Sequence, residues 1–283
     1  MFDLIVVGAG VLGAFHAYHA LKKGLKVALI EKDNAPQGAT VRNFGQVIPS
    51  GMNEKWQAYG RESLAIYKEI HSTIDLTVRN QGTVYLASDA EEMQLIEELA
   101  SINYSRSYPS ILLSKPTCLG NFPGLRSDYV KGGLFFPEEI TLEPRLMIHR
   151  LLNFMHAKMG LAYLPSTTVI ACENNGSFVR STTTSGKKLK SSKVLICSGL
   201  YPAIFAGSDM EISKLQMMQT KPQAKSYQLP GSLLTGGSIR RYEAFQECPS
   251  YASIKKKEAN DTLEKKWGIH ILFKQAMDGS VIL

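Results

Sequence analysis

The N-terminal hydrophobic pattern changes period twice within thirty residues. Leu4-Ile5-Val6-Val7 is a continuous apolar run, as expected of a parallel strand buried on both faces. A helical spacing follows through Ala14, Ala17, Tyr18 and Leu21 and stops at Gly24, and Leu25 to Ile30 reads as a second strand with Glu31 at its end. Between the first strand and the helix lies Gly8-Ala9-Gly10-Val11-Leu12-Gly13. Gly8 permits the tight turn, Gly10 lets the backbone approach a pyrophosphate, and Gly13 lets the helix pack closely on the strand. A diphosphate there meets unpaired N–H groups and the positive end of the helix dipole. Glu31 is placed to accept hydrogen bonds from ribose hydroxyls, and its charge repels a 2′-phosphate. The order strand, glycine turn, helix, strand, acid predicts dinucleotide binding.

Further along, Gln81 to Leu86 predicts a strand, followed by a helix carrying Leu95, Ile96 and Leu99. Gly133 to Phe136 leads to Pro144, well placed to open a helix whose Met147, Leu151, Phe154 and Met155 have core spacing. Thr168-Val169-Ile170 is an apolar stretch that the resemblance named below places as a return to the first domain, and Ser177 to Leu189 reads as a hairpin around Ser185-Gly186. Val194 to Gly199 reads as another buried strand ending in small residues. Arg240 and Arg241 sit in a strand-like segment, so one of them faces a pocket and the other does not. Trp267 to Ala276 reads as a strand containing a lone His270. Asp278-Gly279 is a hairpin signal, and Ser280 to Leu283 begins a returning strand with exposed apolar residues and an unpaired edge.

Composition narrows the class. With 44% hydrophobic and 20% charged residues in 283, the chain is of ordinary globular type, and 23 Gly and 12 Pro fall short of low complexity. No apolar run reaches bilayer-spanning length. Residues 1–180 carry 17 Lys+Arg against 17 Asp+Glu, so the net +7 lies entirely in the last third. Lys255-Lys256-Lys257 and Lys265-Lys266, interleaved with Glu258, Asp261 and Glu264, read as a solvated helix face and not as a nucleic-acid surface. Their charge can still attract an anionic substrate. Cys118, Cys172, Cys197 and Cys248 form no CxxC or metal-ligand spacing, and the N-terminus lacks the basic region of a signal peptide. The expectation is a reduced, cytoplasmic setting with no metal.

NAD and FAD both use the strand–turn–helix unit. Gly38-Ala39-Thr40-Val41-Arg42-Asn43-Phe44-Gly45-Gln46, rich in small residues with one fixed cation, suits a loop laid along a diphosphate or a ring system. The glycine fingerprint and this loop, with Lys214-Leu215-Gln216-Met217, Arg241-Tyr242-Glu243-Ala244-Phe245 and Cys248-Pro249-Ser250, resemble the D-amino-acid-oxidase-like FAD-dependent oxidoreductases. The likeness is greatest to a subgroup associated with phosphonate catabolism.

That resemblance implies a Rossmann-like FAD-binding domain, mainly residues 1–80 and 141–206. It is interleaved with an α+β substrate domain with a mixed or antiparallel sheet, mainly 81–140 and 207–275. It also implies FAD as cofactor and a small anionic amine as substrate, with O₂ or another acceptor reoxidising the flavin. Expected cofactor contacts are Gly8, Gly10, Gly13, Glu31, Lys32, Arg42, Asn43, Gly45, Gln46, Val169, Ser198 and Gly199. Substrate-side candidates are Gln46, Lys214, Gln216, Arg240, Arg241, Tyr242 and His270. Arg241 is favoured as the anion clamp, because a guanidinium fork suits a carboxylate or phosphonate. Tyr242 reads as packed against the sheet, and His270 as a satisfied core histidine. Relatives of this kind continue past residue 283, so residues 276–283 read as the start of a truncated returning strand, with a flavin-poor or weakly active product as the alternative. A reductase using NAD(P)H would want a second GxGxxG, and the sequence has none.

Overall fold

A computed structural model describes residues 1–200 and 215–283; Lys214 lies outside the described residues. In chain order the elements begin with β1 (Phe2–Val7), α1 (Val11–Lys22), β2 (Val27–Ile30), β3 (Gln46–Val47), α2 (Glu54–Thr73), β4 (Thr83–Ala87), α3 (Ala90–Ser105) and β5 (Ile111–Ser114). They continue with α4 (Lys115–Asn121), β6 (Gly132–Phe136), β7 (Ile140–Thr141), α5 (Pro144–Lys158), β8 (Ala162–Leu164), β9 (Val169–Asn174), β10 (Val179–Thr183) and β11 (Lys188–Ile196). The last are β12 (Ser232–Leu234), α6 (Gly236–Ile239), α7 (Glu243–Gln246), α8 (Tyr251–Lys257), α9 (Leu263–Trp267), β13 (Leu272–Gln275) and β14 (Val281–Ile282). Two compact units share the chain: Met1–Asn43, Thr73–Thr77 and Pro144–Leu215 form the first, and Phe44–Ser72, Val78–Glu143 and Gln216–Leu283 the second.

The first unit is a six-stranded sheet in the order β8-β2-β1-β11-β10-β9. β8, β2, β1 and β11 are parallel, and β10 and β9 form an antiparallel flap. Taken along the chain, the parallel strands run third, second, first, fourth, which is the doubly wound order, and the sense of winding reverses between β1 and β11. Ile5, Val6, Ala28 and Leu29 are fully buried, as the continuous apolar runs require; each large aliphatic side chain so buried contributes about 1.5–3 kcal/mol. The α1 face against the sheet is made of Gly13, Ala14, Ala17, Tyr18 and Ala20, mostly small residues that permit a close approach. The Val194 to Gly199 stretch is half-buried at best, since its outer neighbours form a polar antiparallel hairpin.

The second unit holds a sheet in the order β14-β13-β12-β4-β6-β5, antiparallel except for β12 beside β4. Tyr85, Leu95, Ile96, Leu99, Leu134, Phe136 and Phe245 make its main core. Residues 44–72, expected with the nucleotide domain, fold here instead, because α2 is tied to this unit: Gln57 donates to Asn103, Arg61 to the Arg106 carbonyl and Lys68 to the Glu138 carbonyl.

Three expectations need correction in this unit. Arg240 and Arg241 are not in a strand but at the end of the short helix α6, where Gly236 lies so close to the Glu92 carboxylate that a Cβ would fall 2.2 Å from it. The stretch from Trp267 is a strand only from Leu272. Before it, α9 is capped by Thr262, which accepts from the Lys265 amide, and ends at Gly268 with φ 63°. The hairpin at Asp278-Gly279 forms as expected, yet β14 is neither exposed nor unpaired. Val281 is buried, and residues 218–220 pair along the strand, with Met218 and Leu283 exchanging both backbone hydrogen bonds.

Candidate functional site

In the first unit the glycine turn sits at the crevice between β1 and β11. Gly8 has φ 101°, and a Cβ there would lie 2.3 Å from the Cys197 carbonyl oxygen; on Gly13 it would lie 1.9 Å from the Gly8 carbonyl oxygen. The fold itself demands both glycines. Gly10 differs: its φ is −64°, and an added Cβ meets only the Thr40 hydroxyl, at 3.1 Å. The space in front of Gly10 is therefore a cradle that a side chain would fill and a ligand backbone-close to the loop could use. The first turn of α1 carries no acidic residue. Thr40, a residue the sequence reading did not single out, accepts from the Val11 amide at 2.8 Å. Its hydroxyl thus fixes the 39–41 turn against the helix start.

Glu31 is buried at the end of β2, where one carboxylate oxygen accepts from the Ala9 amide at 2.9 Å and the other from the Asp33 amide at 3.1 Å. The acid therefore rigidifies the glycine turn itself and retains lone pairs for further donors. Ser198 and Gly199 follow β11 directly; the Cys197 amide donates to the Val7 carbonyl at 2.7 Å, so this strand end lies beside the turn. Asn43 donates back to the Ala39 and Thr40 carbonyls, which closes the loop, while Arg42 stays exposed. Lys32 is exposed and paired with Asp33, and Val169 is buried at the start of β9. Glycines where the backbone must come close, an acid at the strand end and no acid in the first helical turn fit a dinucleotide.

The second unit holds Gly45 and Gln46. Gln46 opens β3, a two-residue strand paired with β7, and Leu142 donates to the Gly45 carbonyl. The Gln46 Nε2 is buried and has no acceptor among the described residues. Close to this ribbon is a charge cluster that the sequence reading missed. Lys274, fully buried, donates to the Leu142 carbonyl at 2.7 Å and lies 3.6 Å from Glu143, with Nζ 6.0 Å from the centre of the Phe44 ring. Arg79 pairs with Glu143 at 2.9 Å and donates to the Gln275 carbonyl.

Arg240 and Arg241 have different surroundings. Arg240 is consumed by carboxylates: Glu92 at 2.8 Å, Asp89 at 2.7 Å, Glu91 at 3.3 Å and Glu258 at 3.5 Å. Arg241 has no carboxylate partner among the described residues and reaches the Gly268 carbonyl at 3.1 Å. Tyr242 packs edge-on to Tyr85, as expected of a sheet-packed ring, and its hydroxyl is 3.1 Å from His270 Nε2. Burial and the Arg241 charge push the His270 pKa below its ordinary value. Gln216 is exposed and joins none of these residues.

A second missed group is Glu139. It is fully buried, and one of its oxygens accepts from the Ser50 amide and the Tyr108 hydroxyl, both at 2.8 Å. Burial pushes its carboxyl up to about 7 against those hydrogen bonds. Pro137-Glu138-Glu139 reads as a surface turn, so no local signal marks it.

Residues 3–245 match the family described as DAO, FAD dependent oxidoreductase. A glycerol 3-phosphate dehydrogenase of Caloramator mitchellensis is 27% identical over 88% of this chain and 51% of its own length, so the chain spans about half of that relative. Among solved structures, L-proline dehydrogenase from P. horikoshii superposes with a TM-score of 0.78 at 18% identity, over 99% of this chain and 68% of that one. Glycine oxidase from Geobacillus kaustophilus gives 0.64 at 22% over 71% and 56%. FAD-bound L-alpha-glycerophosphate oxidase from Mycoplasma pneumoniae gives 0.72 at 16% over 100% and 70%. At those identities the structures establish the fold, and the family match over most of the chain establishes kinship: the chain belongs to the DAO family of FAD-dependent oxidoreductases.

Proposed function

We propose that the chain binds FAD through Gly8, Gly10, Gly13, Glu31 and the 38–46 loop and oxidises the C–N bond of a small anionic amine. Amino acids of the glycine or sarcosine type, D-amino acids and aminophosphonates are the substrate class. FAD, when bound, supplies the hydride acceptor. The carbon bearing nitrogen gives up its hydride as the nitrogen lone pair forms the C=N bond, and water then hydrolyses the imine.

The observation that carries the reading is the divided fate of two adjacent arginines. Arg240 is neutralised by four carboxylates, whereas Arg241 keeps an unneutralised fork next to Tyr242 and His270. A fork of that kind suits a carboxylate or phosphonate. His270, whose pKa burial and the Arg241 charge push down, stands with Nε2 3.1 Å from the Tyr242 hydroxyl, and in this reading it receives the ammonium proton whose loss frees the nitrogen lone pair. The segments Val41–Gly45, Arg241–Phe245 and Cys248–Ser250 support an aminophosphonate within this class.

The likeness to glycerol 3-phosphate dehydrogenase favours a second reading, oxidation of the C–O bond of a phosphorylated polyol with Arg241 on the phosphate. Anaerobic mixing of the FAD-loaded chain with glycine, sarcosine, D-alanine, 2-aminoethylphosphonate and glycerol 3-phosphate distinguishes them. Flavin bleaching by an amine alone supports the first reading, bleaching by glycerol 3-phosphate alone replaces it with the second, and no bleaching by any of the five removes both.

A further inference from the structure

The cluster of part-buried Arg79 and Glu143 with fully buried Lys274 has two cations and one carboxylate. Burying a lysine is costly unless it is paired, and a methionine would pack in the same space without that cost. Here the pairing is incomplete. Glu143 is shared between Arg79 at 2.9 Å and Lys274 at 3.6 Å, and the Arg79 Nε is buried with no acceptor among the described residues. These three side chains together thus carry one more positive than negative charge, with the Lys274 cation fully buried. It stands beside the segment whose backbone the same groups fix. Lys274 holds the Leu142 carbonyl, the Leu142 amide holds the Gly45 carbonyl, and Arg79 and Thr141 exchange backbone hydrogen bonds in line with the β3–β7 ribbon. Gln46 on that ribbon presents a buried donor without an acceptor.

We propose that Lys274 is a positioning residue for the cofactor. Its cation fixes the Phe44–Gln46 segment through Leu142 and sets a positive potential that favours negative charge on the group bound there. This rests on the reading of that segment as cofactor-facing. The charged groups around Lys274 are Glu143, which favours its protonated form, and Arg79, which disfavours it; with burial the largest influence, its pKa falls to about 8. The charge is present below that pH and disappears above it, whereas the hydrogen bond to Leu142 survives, because a neutral amine still donates.

The test is the pH dependence of the reduction potential of the FAD-loaded chain between pH 6 and 10. The parent is expected to show a change of slope near pH 8. Lys274→Met should have no such break and a lower potential at pH 7. Lys274→Arg should keep the parent's potential at pH 7 and carry no break up to pH 10. Glu143→Gln, which removes the counter-charge, should move the break to lower pH. Lys274→Met with FAD bound and the parent's profile overturns the proposal. Should that variant lose FAD, an unmoved break in Glu143→Gln overturns it equally. Gln46→Leu separates the underlying reading. An unaltered flavin spectrum there removes the assignment of the segment to the cofactor. A perturbed spectrum, together with the parent's profile in Lys274→Met, leaves that assignment standing and removes Lys274.

Discussion

The two units build binding features from opposite materials. In the first, the groups proposed for recognition are main-chain groups brought close by glycines, and Glu31 accepts from the Ala9 and Asp33 amides and so holds the turn. In the second, the candidate groups are side chains delivered from strands and helices far apart in sequence, several of them buried and charged. The lesson is that a backbone site tolerates changes in side chains around it but not added bulk, while a side-chain site fails when one partner of a buried pair is removed.

Breaking the first unit's logic should give the largest effect. Gly13→Ala forces a Cβ to 1.9 Å from the Gly8 carbonyl oxygen, so we expect a loss of about 3 kcal/mol or more, or no folded protein, by denaturant unfolding. Gly10→Ala meets only Thr40, so its apo stability should stay within about 1 kcal/mol of the parent while FAD affinity falls by roughly tenfold or more. Equal FAD affinity in Gly10→Ala would falsify the cradle.

In the second unit the arginine pair offers the matching contrast. Arg240→Ala leaves Glu92, with a side chain 5% exposed, as an uncompensated carboxylate, and the expected cost is about 3–5 kcal/mol in unfolding free energy. Arg241→Lys should leave stability untouched and raise KM for the anionic substrate roughly tenfold at similar kcat. Steady-state kinetics showing the same KM would move the anion contact elsewhere. A pH-dependent effect belongs to Glu139. Its folded pKa of about 7 exceeds the ordinary 4.5, so the protonated form stabilises the fold fully below pH 4.5, and that contribution is lost as pH rises through 7. The loss is on the order of 3 kcal/mol, and Glu139→Gln should flatten the stability profile across that window. A variant whose melting temperature falls with pH as steeply as the parent's would show that Glu139 is already ionised in the folded protein.

Legibility followed the same division. The glycine turn, α1, β2 and Glu31 could be read because each constraint is local: a turn needs its glycines within a few residues, and burial on both faces leaves an unbroken apolar run. Lys274 and Glu139 could not, since Lys274 meets the Leu142 carbonyl 132 residues away and Glu139 meets the Ser50 amide 89 residues away. The sequence pattern places Arg240 and Arg241 on opposite faces of a strand. They follow the short helix α6 instead, and Glu92, 148 residues earlier, decides that Arg240 is the one neutralised. The returning strand at 281–283 was legible as a hairpin, but its covering by Met218 and Thr220 was not, because those residues carry no strand pattern of their own.

The contact between Gly8 and Cys197 has a consequence for the order of synthesis. The glycine turn leaves the ribosome well before the strand end that walls its crevice, which lies almost two hundred residues later in the chain, and β1 lies between β2 and β11 in the sheet. Until β11 docks, β1 has an open edge, and the Val7 carbonyl lacks the amide that seals it. Such long-range closure is slow and leaves nascent strands unprotected. The nucleotide cofactor is therefore unable to template the early chain.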